Sequence, residues 1–194
     1  MSANRRSLLE SCNVPPYIYN TSLPNEGAQS LREWVESAQY ATEDGHMGLS
    51  LFPKHIRDYP KTRRVFHALA KEVCLHSKGQ AVCITLLTLN NILFADKVTE
   101  NQDEYIARAR TAPMLFISDF YENGAPPPFS PYQSVVIRDF LKTAADNGTG
   151  IFTLSDARVF TETARNRAAN AACEWWPSST LQLISKRTIV KGVE

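Results

Sequence analysis

Short apolar runs alternate with helical patterns along most of this chain, and this alternation constrains the fold more than any other feature. The apolar runs occupy residues 47–52, 81–88, 114–118, 150–155 and 181–185. Helical patterns cover 30–42, 61–78, 131–146 and 156–173. Runs this short and this apolar are typical of strands covered on both faces. Strands that alternate with helices predict a three-layer α/β/α domain with about five mostly parallel strands.

The composition is that of an ordinary globular protein. The chain has 194 residues, 43% of them hydrophobic and 21% charged, with a net charge of +1. We expect an extended N-terminal arm at 1–28, where prolines interrupt any periodicity, and one α/β domain at 29–194. No run is long enough to span a membrane, and we find no signal peptide, so we predict a cytoplasmic protein. The cysteines are scattered, which favours buried free thiols over disulfides: Cys12, Cys74, Cys83 and Cys173.

The stretch from Met47 to Val73 has the layout of a phosphate-binding loop. An apolar strand leads through a basic loop at 53–62 into a helix that we expect to open at Lys61 and Thr62. That loop contains no glycine, although a phosphate-binding loop needs residues that accept positive φ and approach phosphate closely. Ile56 resists positive φ, and Pro60 has no N–H to offer. The sequence therefore predicts the scaffold of a nucleotide site without the residues that make it bind.

Polar residues follow several of the predicted strands. In a parallel sheet, ligands bind at the carboxyl ends of the strands. We expect the loop 53–62, Asp119, Ser155 and Asp156 to meet at that edge, together with the arginine-containing helix 156–173. No spacing of histidine, cysteine or carboxylate residues predicts a metal site of its own.

Several segments also resemble a known family. They are CNVPPYIYNTSL, SLREWVES, GLSLF, KTRRVFHALAKEV, MLFISDF and GIFTLSD, and they occur in this order along the chain. Together they resemble the AAA+ core of the bacterial DnaC/IstB family, the helicase loaders and transposition helper ATPases. The resemblance implies a P-loop NTPase fold, ATP bound between subunits, oligomeric assembly, and contact with single- or double-stranded DNA.

The resemblance also implies roles for individual residues. Lys61 matches the lysine that neutralises the β- and γ-phosphates, and Thr62 matches the hydroxyl that holds Mg²⁺. Asp119 matches one of the two acids at the end of the Walker B strand, and Ser118 stands at the other. The remaining matches concern two further roles: Ser155 and Asp156 for the polar sensor, and Arg167, or Arg165 beside it, for the arginine that reaches a neighbouring subunit's phosphate.

The densest basic cluster of the chain surrounds the predicted loop. We expect this cluster to contact phosphates, either of DNA or of a nucleotide held by side chains, and we assign DNA binding to Lys54, Arg57, Arg63 and Arg64. The alternative is a solvated start of a helix whose charges face water.

Three functional hypotheses remain open from the sequence. In the first, the protein is a degenerate DnaC/IstB-like accessory factor of replication or transposition that binds DNA, a replicative helicase or a transposase without hydrolysing ATP. In the second, it is an active ATPase of the same kind, with ATP and Mg²⁺ as cofactors and an unusual loop. In the third, it is a binding or inhibitor protein that shares only the fold.

Overall fold

The central feature of the computed structural model is a five-stranded sheet in which every neighbouring pair is parallel. The strands are β1 (Gly48–Pro53), β2 (Ala81–Thr85), β3 (Met114–Tyr121), β4 (Gly150–Ser155) and β5 (Ile189–Val193), in the spatial order β2-β3-β4-β1-β5. The structure describes residues 2–22, 48–53, 56–95, 97, 99–121, 129–155 and 189–193. The predicted parallel α/β architecture is confirmed.

Five helices are described around the sheet. They are α1 (Ala3–Ser11), α2 (Tyr59–His76), α3 (Leu86–Leu93), α4 (Glu100–Thr111) and α5 (Pro131–Asp146), with short 3₁₀ turns at Pro16–Ile18 and Ile56–Asp58. The bounds of α5 agree with the sequence pattern, because Ser130 and Gln133 form a capping box at its start. The strand expected at 81–88 is wrong from Leu86 onward. The Thr85 side chain accepts a hydrogen bond from the Thr88 N–H and so starts α3 there.

The alternating residues of the strands build two separate cores. One face of the sheet contributes residues such as Leu115 and Ile117 to a cluster that includes residues of α3, α4 and α5. The other face contributes Phe116 and Phe152, whose rings stack with centroids 4.2 Å apart, to a cluster with α1 and α2. Phe66 of α2 meets Phe116 edge-on at 5.6 Å. This period-two alternation produces the three layers.

The N-terminal segment differs from its prediction. We expected an extended arm over 1–28, but Ala3–Ser11 is helical, and Leu9, Val14 and Ile18 are buried in the second core. The segment also covers the outer edge of β2, where the Cys12 carbonyl accepts a hydrogen bond from the Cys83 N–H at 2.9 Å. The Cys83 N–H on this edge of the sheet thereby gains a hydrogen-bond partner.

Arg108 of α4 holds this segment in place. Its guanidinium donates to the Ser11 carbonyl at 2.6 Å and to the Gly79 carbonyl at 3.0 Å, so it joins the end of α1 to the turn after α2. Gly79 has φ +88°, and a Cβ there would lie 2.8 Å from Leu8 Cδ1. The positive φ favours a glycine here, and the Leu8 side chain would have to shift to accommodate a Cβ.

The cysteine prediction is confirmed where the structure can test it, since Cys12, Cys74 and Cys83 are buried free thiols. Cys173 and three further predicted elements lie outside the described residues, namely the helices at 30–42 and 156–173 and the strand at 181–185. Within the part of the chain that the structure describes, no helix is both long and apolar enough to cross a bilayer.

We expect Arg108→Met to lower the free energy of unfolding by about 2 kcal/mol, because two carbonyl groups lose a charged donor. Arg110→Met is the matched control on the same helix, since Arg110 is exposed and its guanidinium only lies over the Phe140 ring at 5.5 Å. The control should cost about 1 kcal/mol or less. Urea denaturation measures both variants, and equal losses would contradict the role given to Arg108.

Candidate functional site

A bulge in β3 forms the centre of the candidate site. The pairing of β3 with β4 runs from Ile117↔Thr153 directly to Tyr121↔Ser155. Between these two pairs, three residues of β3 (118–120) lie opposite one residue of β4 (154). Asp119 lies inside this bulge with φ +57°, a left-handed conformation that few residues other than glycine adopt. The bulge turns Asp119 out of the regular alternation at the carboxyl end of the strand.

The Asp119 carboxylate accepts three hydrogen bonds from residues that the structure describes. Its Oδ1 accepts from the Tyr59 hydroxyl at 2.6 Å, and its Oδ2 accepts from the Arg63 guanidinium at 2.9 Å and from the Ser118 hydroxyl at 3.2 Å. The Asp119 side chain is 13% exposed, whereas that of Arg63 is 40% exposed. The first turns of α2 are therefore tied to β3 through one largely buried carboxylate.

The helix α2 begins earlier than the sequence suggests. We expected it to open at Lys61 and Thr62, but it starts at Tyr59, directly after the 3₁₀ turn. Pro60 fits the first turn because a missing N–H leaves no intrahelical bond unmade there. The Thr62 hydroxyl donates to the Asp58 carbonyl at 3.1 Å, and Thr62 is only 1% exposed. This hydroxyl is thus engaged within its own helix.

A second polar contact joins the N-terminal segment to α2. The Tyr17 hydroxyl and His67 Nδ1 share a short hydrogen bond, and their rings meet edge-on. His67 is 3% exposed, while the Tyr17 residue is 54% exposed. Burial, reinforced by the positive charge of Arg63, lowers the pKa of His67 to about 4, so this histidine is neutral at pH 7.

The remaining predicted site residues separate into two groups. Arg57, Lys61 and Arg64 are described and exposed, and among the described members of the basic cluster Arg63 alone reaches Asp119. Ser155 ends β4 at the expected edge of the sheet. The other predicted residues lie outside the described part of the chain: Lys54, Asp156, Arg165 and Arg167.

Sequence reasoning misses two tyrosines of this site. In the sequence, Tyr59 is one residue of the glycine-free loop 53–62, and nothing gives Tyr17 a role. No sequence signal places Tyr59 against Asp119, because β4 lies between β3 and β1, the strand that precedes α2. No sequence signal identifies the Tyr17–His67 pair, since fifty residues separate its members.

We expect Tyr59→Phe to lower the free energy of unfolding by about 1.5–3 kcal/mol, because the Asp119 carboxylate loses a buried donor. Tyr132→Phe is the control, since Tyr132 is 71% exposed and its change should fall within about 0.5 kcal/mol. Urea unfolding of both variants tests this. A Tyr59→Phe variant as stable as the control would rule out a stabilising role for the hydroxyl.

His67 should make stability depend on pH. Its pKa is depressed from 6.5 to about 4 in the folded protein, so only the unfolded chain gains this proton between those values. The free energy of unfolding should therefore fall as the pH drops through this window, by up to about 3 kcal/mol from this group. The His67→Gln variant should lack this pH-dependent fall in the free energy of unfolding. Unfolding curves of the two proteins that stay parallel from pH 7 to about pH 4 would refute this linkage.

Comparison with known proteins gives matches only to solved structures. No protein-family model matches the chain, and no curated protein does. The crystal structure of DnaI is 16% identical with a TM-score of 0.60, covering 93% of this chain and 94% of that one. The crystal structure of the DnaC helicase loader shares 13% sequence identity with this chain at a TM-score of 0.60, and the match covers 92% of this chain and 99% of the loader.

A third match extends the similarity to an initiator. Domain III of the Thermotoga maritima replication initiation protein DnaA is 14% identical with a TM-score of 0.54, covering 93% of this chain and 68% of that one. At such low identities the likeness concerns the fold. The chain therefore shares the fold of these three proteins, which agrees with the α/β fold that its sequence resemblance predicts.

Proposed function

We propose that this protein is a helicase-loader-like accessory factor of DNA replication that does not hydrolyse ATP. Two features of the chain support this function. One is the fold, which the chain shares with DnaI and with the DnaC helicase loader over more than nine-tenths of its length. The other is the arrangement of side chains where that fold would hold ATP and Mg²⁺.

The hydrogen bonds that the Asp119 carboxylate already accepts are the single observation that supports an absence of ATP hydrolysis. A Walker B carboxylate acts by holding Mg²⁺ or by orienting the attacking water. Here the carboxylate accepts from Tyr59 and from Arg63 at 2.6 and 2.9 Å. A cation that already neutralises this group leaves it poorly suited to a second, divalent cation.

The residues that match the phosphate loop point the same way. The hydroxyl of Thr62, which would ligate Mg²⁺, is buried and donates to the Asp58 carbonyl. Pro60 has no N–H, and Tyr59 is already the first residue of α2. Each missing hydrogen bond from an N–H group to a charged triphosphate weakens binding by about 1.5–3 kcal/mol. We infer that the residues present do not fit a bound Mg–ATP, and we derive no catalytic step through it.

A replicative helicase is the partner that we propose, because one of the structurally similar proteins is itself a helicase loader. Binding to DNA through exposed members of the basic cluster and self-association remain proposals from the sequence resemblance. With Arg63 engaged by Asp119, the cations open to a ligand in the described chain include Arg57, Lys61 and Arg64.

We expect no phosphate release above the buffer blank when the full chain is incubated with ATP and Mg²⁺, with or without single-stranded DNA. The reason is that Asp119 and Thr62 are both engaged within the protein. A coupled phosphate assay measures turnover, and Lys61→Ala is the matched variant, expected to give the same blank rate. Turnover that Lys61→Ala abolishes would instead establish the active ATPase.

The helicase part of the proposal needs a separate measurement. Co-sedimentation of the full chain with a purified replicative helicase should give a complex whose formation does not require ATP. A complex that forms only with ATP would contradict a nucleotide-independent factor. Absence of any complex would favour the hypothesis of a protein that shares only the fold.

A further inference from the structure

A cleft beside α2 is separate from the contacts of Asp119. It has a volume of about 360 Å³ and lies between the end of the N-terminal segment and the first turns of the helix. Its described lining residues are Thr21, Ser22, Pro60, Lys61, Arg64, Val65 and Ala68. The Lys71 ammonium donates to the Thr21 carbonyl and fixes one wall against the helix. Such a volume lies within the range of about 300–1,000 Å³ typical of ligand sites.

The rim of this cleft is positively charged and open. Lys61 and Arg64 are both exposed, and no ion pair is found for either within the described chain. Arg57 lies four residues before Lys61 and is exposed as well. The nearest acid in sequence is Asp58, which is half-buried. The adjacent Arg63 shows the contrast, since its charge is used by Asp119. Among the described residues, the positive charge of this rim is therefore not paired with an acid, and it suits an anionic ligand.

The floor of the cleft is apolar. Val65 and Ala68 are 8% and 1% exposed, and each lies four residues after one of the two rim cations, so charge and apolar surface follow one face of α2. Among the described lining residues none is aromatic. Binding of single-stranded nucleic acid relies on aromatic rings that stack the bases. An aliphatic floor under two cations instead fits an aliphatic side chain flanked by carboxylates.

We propose that this cleft is a docking site for an acidic peptide segment of a partner protein, in which an aspartate or glutamate neighbours an aliphatic residue. The carboxylates contact Lys61 and Arg64, and the aliphatic side chain packs on Val65 and Ala68. The inference goes beyond the proposed function and does not depend on it, because a segment with this chemistry can belong to any partner.

The test uses a short fluorescein-labelled peptide of alternating aspartate and leucine, with the full chain and fluorescence anisotropy. Lys61→Ala and Arg64→Ala should each weaken binding by about two- to fivefold, and the affinity should fall as NaCl is raised. Lys142→Ala is the matched control, since it removes one exposed cation from α5. That control should leave the affinity unchanged, and circular dichroism verifies that every variant is folded.

Two peptide controls and one charge reversal sharpen the result. Replacing the aspartates with asparagine, or the leucines with serine, should each weaken binding, because the cleft requires both charge and apolar contact. The Arg64→Glu variant should bind the acidic peptide more weakly than the unchanged protein does, and it should bind a peptide of alternating lysine and leucine more tightly.

Several outcomes would overturn the assignment. One is equal binding of the asparagine peptide, and another is a loss in Lys142→Ala as large as in Arg64→Ala. Displacement of the peptide by oligothymidylate at a lower concentration would assign the surface to single-stranded nucleic acid, and displacement by ATP would assign it to a nucleotide. ATP turnover that is not accompanied by displacement of the peptide would overturn the proposed loss of hydrolysis and not the peptide site, so the two failures are distinguishable.

Discussion

The carboxylate of Asp119 is the contact on which the rest of the site depends. Asp119 adopts a left-handed conformation at φ +57°, which most residues other than glycine avoid and which aspartate tolerates when its side chain forms local hydrogen bonds. The hydrogen bonds from Tyr59 and Arg63 hold this side chain in place, since bonds to a charged group contribute about 1.5–3 kcal/mol each. The bulge in β3 and the start of α2 therefore stabilise one another, and the Asp119 carboxylate links a strand to a helix.

The ion pair between Arg63 and Asp119 separates Arg63 from the other described members of the basic cluster. Arg63 faces the sheet and neutralises Asp119, while Lys61 and Arg64 face the cleft bounded by Thr21. Neighbours in the sequence thus have opposite roles, because successive residues of a helix point about 100° apart. The same helix buries His67 on yet another side, where it meets Tyr17. One element therefore carries an internal ion pair, a buried polar contact and an exposed charged rim.

The N-terminal segment is part of the folded core and not a separable arm over Ala3–Ile18. It supplies buried side chains such as Leu9, a carbonyl for the edge of β2, and the second wall of the cleft. The sequence pattern misled because Pro15 and Pro16 suggested extension throughout. These prolines instead lead into a 3₁₀ turn, after a helix whose short apolar pair gave little periodic signal.

The sequence by itself determined the parallel α/β architecture, the bounds of α5 and the burial of Cys74 and Cys83, because apolar periodicity and capping residues act locally. It also placed Lys61, Thr62 and Asp119 near one edge of the sheet. Only the tertiary structure decided that Arg63, not Lys61, reaches Asp119. That choice depends on a strand bulge and on a contact between residues more than fifty positions apart, which no local pattern encodes.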